Sequence, residues 1–185
     1  GITDMIFVTG RSKGSIEDHF DRAFELEREL EKKNSEFVNV LKSIPPKGVN
    51  CIYIRQAEPL GLGHAVFCAF PAVGNEPFAV LLADDLMESN LNCPGTMEQM
   101  VRQFNKTSKS IIAVEEVPLA ETKKYGIVEY EKYDDDLGIV TNIIEKPNSE
   151  DAPSNVAVVG RYILTPEIFP ILESQEKGKG GEIQL

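Results

Sequence analysis

The feature that most constrains the fold is a regular alternation of apolar runs with amphipathic segments. Continuous apolar runs, typical of strands covered on both faces, occur within residues 4–10, 49–54, 78–82 and 110–114. Between them, apolar side chains recur at the spacing of a helix face. Because strand, helix and parallel strand form one right-handed unit, this order predicts an α/β fold of Rossmann-like type. We expect a mostly parallel central sheet with helices on both faces.

The pattern changes after the fourth run. Residues 125–131 alternate between apolar and polar side chains, residues 133–138 form an acidic turn with a glycine, and residues 139–145 are predicted to be the returning strand. A further apolar run spans 155–164. We therefore predict an antiparallel hairpin inserted into the α/β fold, then one more strand and a helix that begins at Pro166.

Length and charge limit the class of protein. The chain has 185 residues, the size of one domain, so residues 1–185 are predicted to form a single domain. Its net charge of −11 argues against nucleic acid as a partner. The apolar runs are too short for a membrane helix and the N-terminus lacks the basic start of a signal peptide, so we predict no membrane partner and a cytoplasmic location. The chain also begins almost inside a strand, which indicates a missing beginning.

A polar loop joins the run at 49–54 to the helical segment that follows it. In α/β sheets, ligands bind at such loops, at the carboxyl ends of the strands. Gln56 offers a planar amide that can pair with the edge of a base, and Gly61 and Gly63 would let a ligand approach the backbone. We predict a nucleobase site here. The alternative is that the glycines only make the turn and start the helix.

Two carboxylates, Asp84 and Asp85, follow the run at 78–82. If the strands are parallel, they lie at the same edge of the sheet as the loop that contains Gln56. Mg²⁺ is often bound by one or two protein carboxylates together with ligand phosphates, so a magnesium site is predicted. The alternative is that these residues cap the next turn. The residues alone do not distinguish Asp84 from Asp85 as the ligand.

Two further positions could contact a sugar phosphate. Glu145 and Lys146 end a predicted strand, where they could bind a sugar diol and a phosphate; an exposed ion pair is the alternative. Gly126, after Tyr125, would let a sugar ring approach the backbone, although it is also an ordinary start of a strand. His64 is expected to pack at the start of the helix.

Together, and in this order, these residues resemble the motifs of the sugar-1-phosphate nucleotidylyltransferase superfamily, and most closely those of its bacterial UTP:glucose-1-phosphate uridylyltransferase family. The superfamily resemblance is carried by Gln56 with Gly61, Asp84, Tyr125–Gly126, Glu145–Pro147 and Ala157–Tyr162. The closer resemblance is carried by Phe7–Arg11, Ile16–Asp21, Arg55–Ala65 and Gly181–Leu185. The similarity covers essentially the whole chain.

The resemblance implies a nucleotide-diphospho-sugar transferase fold and a set of roles. Gln56 and the Gly61 backbone would bind uracil, and Asp84 would hold Mg²⁺. The glucose would be positioned by Gly126, Glu145 and Val158, and Lys146 would contact phosphate as a catalytic residue with Asp84. The implied reaction joins UTP and glucose-1-phosphate to UDP-glucose and releases pyrophosphate. The family also implies a homo-oligomer.

Two features of the family are not found in this sequence. The Gly-rich triphosphate loop with its lysine would precede Gly1, and a second metal-binding Asp would follow Leu185. We therefore expect a domain truncated at both ends, which by itself has little or no activity. The alternatives are a non-catalytic sugar-nucleotide-binding or regulatory fragment of the same fold, which would bind UDP-glucose without turnover, and a thymidylyltransferase, since Gln56 can pair with thymine as well. A nicotinamide oxidoreductase is disfavoured because Gly-x-Gly-x-x-Gly follows no predicted strand.

Overall fold

The structure, a computed structural model, describes residues 2–33, 35–44, 47–88, 93–134 and 137–185, without the side chain of Lys179. Its internal contacts divide the chain into two compact units. The first unit consists of Gly1–Gly74 and Glu167–Leu185, and the second of Asn75–Pro166. The single domain over residues 1–185 stays a prediction.

The first unit combines a pair of strands with helices. Its strands are β1 (Asp4–Thr9) and β2 (Asn50–Arg55). Its helices are α1 (Gly14–Phe20), α2 (Phe24–Lys32), α3 (Phe37–Ser43), α4 (Leu62–Cys68), α5 (Phe70–Val73) and α7 (Ile168–Ser174). A 3₁₀ turn lies at Lys179–Gly181. The last helix begins at Ile168, slightly later than the predicted start at Pro166.

The two strands of the first unit run parallel, in a register from Asp4 opposite Asn50 to Thr9 opposite Arg55. On one side of the pair, the ring of Phe7 lies 5.4 Å from that of Tyr53 and 4.7 Å from that of Phe20 in α1. These aromatic contacts cover part of the apolar faces that the sequence pattern indicated. The predicted strand, helix and parallel strand are confirmed in this part of the chain.

Helix α7 packs against α4 in the same unit. Phe169 and Leu172 of α7 are each 2% exposed, and the ring of Phe169 lies 4.7 Å from that of Phe70. Val66 and Ala69 are buried beside them. The core of the first unit is therefore formed jointly by α4 and α5, which precede residue 75, and by α7, which follows residue 166.

The second unit contains a five-stranded sheet and one long helix. Its strands are β3 (Phe78–Leu81), β4 (Ile111–Glu116), β5 (Gly126–Asp134), β6 (Leu137–Glu145) and β7 (Val156–Leu164). Helix α6 (Thr96–Thr107) connects β3 to β4, and a 3₁₀ helix (Leu119–Lys124) precedes β5. The predicted hairpin is confirmed, because β5 and β6 pair antiparallel. Asp135 and Asp136 of its predicted acidic turn lie outside the described residues.

The pairing in this sheet corrects the prediction of mostly parallel strands. Strand β7 runs antiparallel to β3, β4 and β5, so every described ladder of the sheet is antiparallel. Ile163 of β7 lies opposite Ala79 of β3 and also opposite Ile111 of β4, which places β7 between those strands. β3 and β4 run in the same direction, as their helical connection predicts. They are not paired with each other, because the apolar strand β7, which comes later in the sequence, lies between them. The α/β class holds, with mixed rather than mostly parallel pairing.

The core of the second unit lies where α6 and the sheet meet. Met100 of α6, Ala113 of β4 and Ile163 of β7 form one buried cluster. Ile127 and Ala157, which face each other across β5 and β7, are both 0% exposed. In the described part of the chain, no helix is long and apolar enough to cross a membrane.

A charged side chain is buried in the first unit. The Glu27 side chain in α2 is 4% exposed, and its two carboxylate oxygens accept hydrogen bonds from Arg22 Nη2 at 2.5 Å and Arg22 Nε at 3.3 Å. The hydrogen bond from Arg22 lowers the pKa of Glu27 from its ordinary value of 4.5, against the opposing effect of burial. The ionised form is therefore the one that the fold stabilises.

We predict that Glu27→Gln destabilises the protein at neutral pH and that the difference from wild type disappears in acid. Because the folded pKa is the lower one, the contribution of Glu27 is present above its ordinary value of 4.5 and is lost as the pH falls through the folded value. Urea unfolding curves from pH 7 down to pH 3 measure this. An equal loss of stability at every pH would contradict it.

Candidate functional site

The loop with the predicted base site begins at the end of β2. The backbone N–H of Gln56 donates to the carbonyl of Thr9 at 2.8 Å, which fixes the start of the loop to the end of β1. The loop ends at Gly61, whose φ of +99° lies in the region that favours glycine, and α4 follows at once. The ends of two parallel strands thus hold this loop at the predicted edge.

The side chain of Gln56 folds back over its own loop. Its Nε2 donates to the carbonyl of Gly61 at 3.1 Å, and it lies 2.9 Å from Nδ1 of His64. The structure thus brings together Gln56 and Gly61, the two predicted nucleotide-binding residues. It also adds His64, which the sequence placed only as a packing residue at the start of the helix.

Residues near the C-terminal end of the chain pack against the same loop. The N–H of Ile183 donates to the carbonyl of Leu60 at 2.7 Å, and the N–H of Gly63 donates to the carbonyl of Ile183 at 2.9 Å. A Cβ at Gly63 would lie 2.3 Å from the carbonyl oxygen of Gln184, so only glycine fits. At Gly63 the close approach that we expected from a ligand is therefore made by the chain itself.

The two carboxylates after β3, in the second unit, have different surroundings. Asp85 Oδ2 accepts a hydrogen bond from the N–H of Gly160 at 2.7 Å. The guanidinium of Arg161 donates to the carbonyls of Leu82 at 3.0 Å and of Asp85 at 2.5 Å, and so holds both ends of the turn. Among the described residues, the exposed carboxylate of Asp84 has no hydrogen-bond partner.

The different surroundings of Asp84 and Asp85 determine which of them is available to the predicted Mg²⁺ ion. Within the described ranges, no group of three or more His, Cys, Asp or Glu side chains is placed to hold an ion. Mg²⁺ commonly takes one or two protein carboxylates and completes its shell with water and ligand phosphate. The donor set at this turn, one unengaged carboxylate on a fixed backbone, fits that kind of site.

The three predicted sugar-binding residues lie together in the second unit. Gly126 is opposite Glu145 in the hairpin ladder. A Cβ on Gly126 would lie 3.3 Å from Glu145 Oε2 and 3.8 Å from Val158 Cγ2, so glycine leaves room beside the carboxylate. Tyr162 of β7 is close enough to Glu145 and Asp85 to be affected by their charges. Burial, and then these two charges, raise the pKa of its hydroxyl group, which therefore stays protonated and can donate a hydrogen bond.

Lys146, the predicted phosphate contact, has an unusual backbone. Its φ of +47° lies in the left-handed region, which costs a residue with a Cβ free energy. Its N–H donates to the carbonyl of Tyr125 at 3.0 Å, and its Nζ lies 3.4 Å from Glu145 Oε1. The lysine is half exposed, so its ammonium group is accessible to an anion.

A comparison with protein families settles the family. The model of the nucleotidyl transferase family matches residues 1–184. The chain belongs to the nucleotidyl transferase family. The fold class predicted from the sequence, α/β with the nucleotide-diphospho-sugar transferase architecture, is confirmed with this membership.

Individual relatives of this nucleotidyl transferase chain agree with the family. It is 46% identical over 187 aligned residues to the UTP–glucose-1-phosphate uridylyltransferase of Pseudomonas aeruginosa, and 50% identical over 186 to that of Bacillus subtilis. The alignments cover 100% of this chain, but only 66% and 62% of those proteins. The chain therefore spans a little less than two thirds of the relatives that it matches.

The chain is also similar in fold to solved structures of UDP-glucose pyrophosphorylases. A UDP-glucose pyrophosphorylase complexed with UDP-glucose superimposes with a TM-score of 0.85 at 44% identity, covering 98% of this chain and 65% of that one. An apo UDP-glucose pyrophosphorylase gives 0.87 at 45% identity, covering 97% and 66%. A putative glucose-1-phosphate thymidylyltransferase from Bacillus anthracis, at 18% identity and a TM-score of 0.66, shares the fold.

The sequence did not indicate the contributions of four residues to these sites. Arg161 and Gly160 stand within a motif quoted for the resemblance, but nothing in the sequence indicated that they hold the turn at Asp84. His64 was noted without a contact to Gln56. The backbone of Ile183 was missed because a main-chain contact leaves no signal in residue type, except the glycine that it requires at Gly63.

We predict that the two adjacent carboxylates differ in their effect on stability. Asp85→Ala removes the acceptor of the Gly160 N–H and should lower the free energy of unfolding by about 1–3 kcal/mol. Asp84→Ala is the matched control and should leave stability nearly unchanged, since its carboxylate has no partner within the described residues. Urea denaturation of both variants measures the difference, and equal losses would contradict the assignment of Asp85 to the turn.

Proposed function

We propose that this chain carries the base-binding and sugar-binding part of a uridylyltransferase that joins UTP and glucose-1-phosphate to UDP-glucose and releases pyrophosphate. The observation that carries the proposal is the 46% and 50% identity, over the whole chain, to two proteins named as UTP–glucose-1-phosphate uridylyltransferases. Identity at that level supports a common substrate pair as well as a common fold.

The proposed roles follow the geometry within each unit. In the first, the Gln56 amide and the Gly61 backbone bind uracil, at a loop fixed by the strand ends. In the second, glucose is positioned by Gly126, Glu145 and Val158, since the side chains of Glu145 and Val158 both reach the space where a Cβ on Gly126 would lie. The room that Gly126 leaves beside the Glu145 carboxylate suits a sugar hydroxyl that donates to it.

Charge neutralisation is assigned to Asp84 and Lys146. We propose that Asp84, the carboxylate without a partner within the described residues, holds Mg²⁺, which when bound neutralises charge on the phosphates. Lys146 contacts phosphate through its exposed ammonium group. A phosphate oxygen of glucose-1-phosphate attacks the α-phosphorus of UTP as the bond to pyrophosphate breaks, so the protein supplies position and charge rather than a covalent intermediate.

Three further expectations belong to the proposal. A cytoplasmic location agrees with the free thiols of Cys51, Cys68 and Cys93. Residues 1–185 are proposed to be part of a single nucleotidylyltransferase domain, and the protein to be a homo-oligomer. A thymidylyltransferase is the weaker alternative, because the putative thymidylyltransferase from Bacillus anthracis is only 18% identical to this chain.

The deciding experiment measures pyrophosphate release from UTP and glucose-1-phosphate. The assay uses the 185-residue chain and a chimera that adds the flanking segments of the Bacillus subtilis relative, with and without Mg²⁺. We expect the chimera to turn over only with Mg²⁺, and Asp84→Asn to reduce its rate by on the order of 10²–10³. A folded chimera that binds UDP-glucose without turnover would favour a non-catalytic binding protein instead. Full activity of Asp84→Asn at saturating Mg²⁺ would remove Asp84 from the metal site.

A second prediction separates the base site from the sugar site. Gln56→Ala removes the amide that contacts the base, so UTP affinity should fall by about 1–3 kcal/mol while glucose-1-phosphate affinity is nearly unchanged. Isothermal titration of the variant and wild type with each ligand measures both affinities. Equal losses for the two ligands would show that Gln56 does not belong to the base site.

A further inference from the structure

Both hydrogens of the Gln56 side-chain amide are engaged within the chain. One points to the carbonyl of Gly61, with Nε2 at 3.1 Å from the oxygen. A carbonyl oxygen only accepts, so this contact identifies the nitrogen end of the amide. The other points to Nδ1 of His64, 2.9 Å away. The oxygen Oε1 is therefore the end of the amide left for a ligand, and it can only accept a hydrogen bond.

The same contact fixes the state of the His64 ring. Nδ1 faces an amide nitrogen that has only hydrogens to offer, so Nδ1 must be the unprotonated, accepting nitrogen, and the ring proton is on Nε2. Sγ of Cys68 lies 3.8 Å from Nε2 and 4.0 Å from Nδ1, in contact with the ring. Burial raises the pKa of the Cys68 thiol, so the sulfur stays neutral. The result is a chain of contacts from Gly61 through Gln56 and His64 to Cys68.

We propose that His64 is a positioning residue for base selection. His64 accepts the second amide hydrogen of Gln56, so the amide offers a ligand only its oxygen Oε1, which can accept a hydrogen bond but not donate one. This inference rests on the proposed function, in which Gln56 binds the base. A base must then donate a hydrogen bond to Gln56 Oε1. Uracil has a single donor on its pairing edge, the N3–H group, so that group faces the amide oxygen.

The arrangement favours affinity as well as selection. A free Gln side chain has several rotamers, and fixing one of them on binding costs free energy. Because Gly61 and His64 already hold the amide, that cost is met during folding and not when the base arrives. His64 lies in α4, which follows Gly61 directly, so one continuous stretch of backbone carries both partners of the amide.

The test compares UTP with an analogue whose N3 accepts a hydrogen bond instead of donating one. UTP carries N3–H and O4, whereas 2-pyrimidinone riboside triphosphate has an accepting N3, no O4 and no donor on its edge, and the loss of O4 is the same for wild type and variants. For the wild-type chain we expect UTP to bind at least about tenfold more tightly. In His64→Leu the amide hydrogen that faced Nδ1 has no partner in the chain and can be donated to the accepting N3 of the analogue. The ratio of the two affinities should therefore fall to about threefold or less. His64→Asn keeps an acceptor near the place of Nδ1 and should retain the wild-type ratio.

An independent measurement on the free protein is the tautomer of His64. The chain has two histidines, so a ¹⁵N–¹H imidazole spectrum is simple, and His19→Gln assigns the remaining signals to His64. We expect protonation at Nε2 and an accepting Nδ1. A proton on Nδ1 at neutral pH would overturn the inference, even if the His64 variants failed to fold.

The outcomes also separate this inference from the proposed function. Failure of the chain and of its chimera to bind any uridine nucleotide would overturn the proposed function and, with it, base selection by Gln56. Binding of UTP with the same ratio in wild type and a folded His64→Leu variant would overturn only the role of His64. Loss of UTP affinity in His64→Leu with the ratio unchanged would reduce His64 to a structural residue and would also count against the proposal.

Discussion

The second unit depends on the position of strand β7 between β3 and β4. Its pairing with β3 brings Gly160 and Arg161 to the turn that contains Asp84 and Asp85, and its pairing with β5 brings Val158 toward Gly126. One strand therefore aligns the proposed metal-binding turn with the proposed sugar site. Since a shift of one residue in its register would exchange the faces of the strand, the burial of Ala157 and Ile163 protects both sites at once.

In the first unit, main-chain hydrogen bonds hold the proposed base-binding loop in place. The loop with Gln56 is held at its start by Thr9 and farther along by Ile183, in each case through a main-chain hydrogen bond. Such contacts depend on φ, ψ and the absence of a Cβ rather than on side-chain identity, which explains the glycines at 61 and 63. The loop of the proposed base site is therefore held by the fold itself, as preorganised recognition requires.

The sequence predicted the parts of the fold that local pattern determines. The parallel pair β1 and β2, the hairpin β5–β6 and the loop between Arg55 and Leu62 were all visible as periodicity or turn chemistry. The insertion of β7 was not, because an apolar run shows that a strand is buried but not which neighbours it pairs with. Likewise two adjacent Asp residues are equivalent in sequence. Their side chains differ in the structure because the N–H of Gly160, far along the chain, donates to the carboxylate of Asp85.

The division of the chain has a consequence for its synthesis on the ribosome. Residues 75–166 form a contiguous unit, which can fold as soon as β7 has emerged. The other unit needs Phe169 and Leu172 from α7 to cover Val66 and Ala69, so that apolar surface stays uncovered until α7 has been made. The unit that contains the earlier strands β1 and β2 is thus completed after the unit that follows them in the sequence.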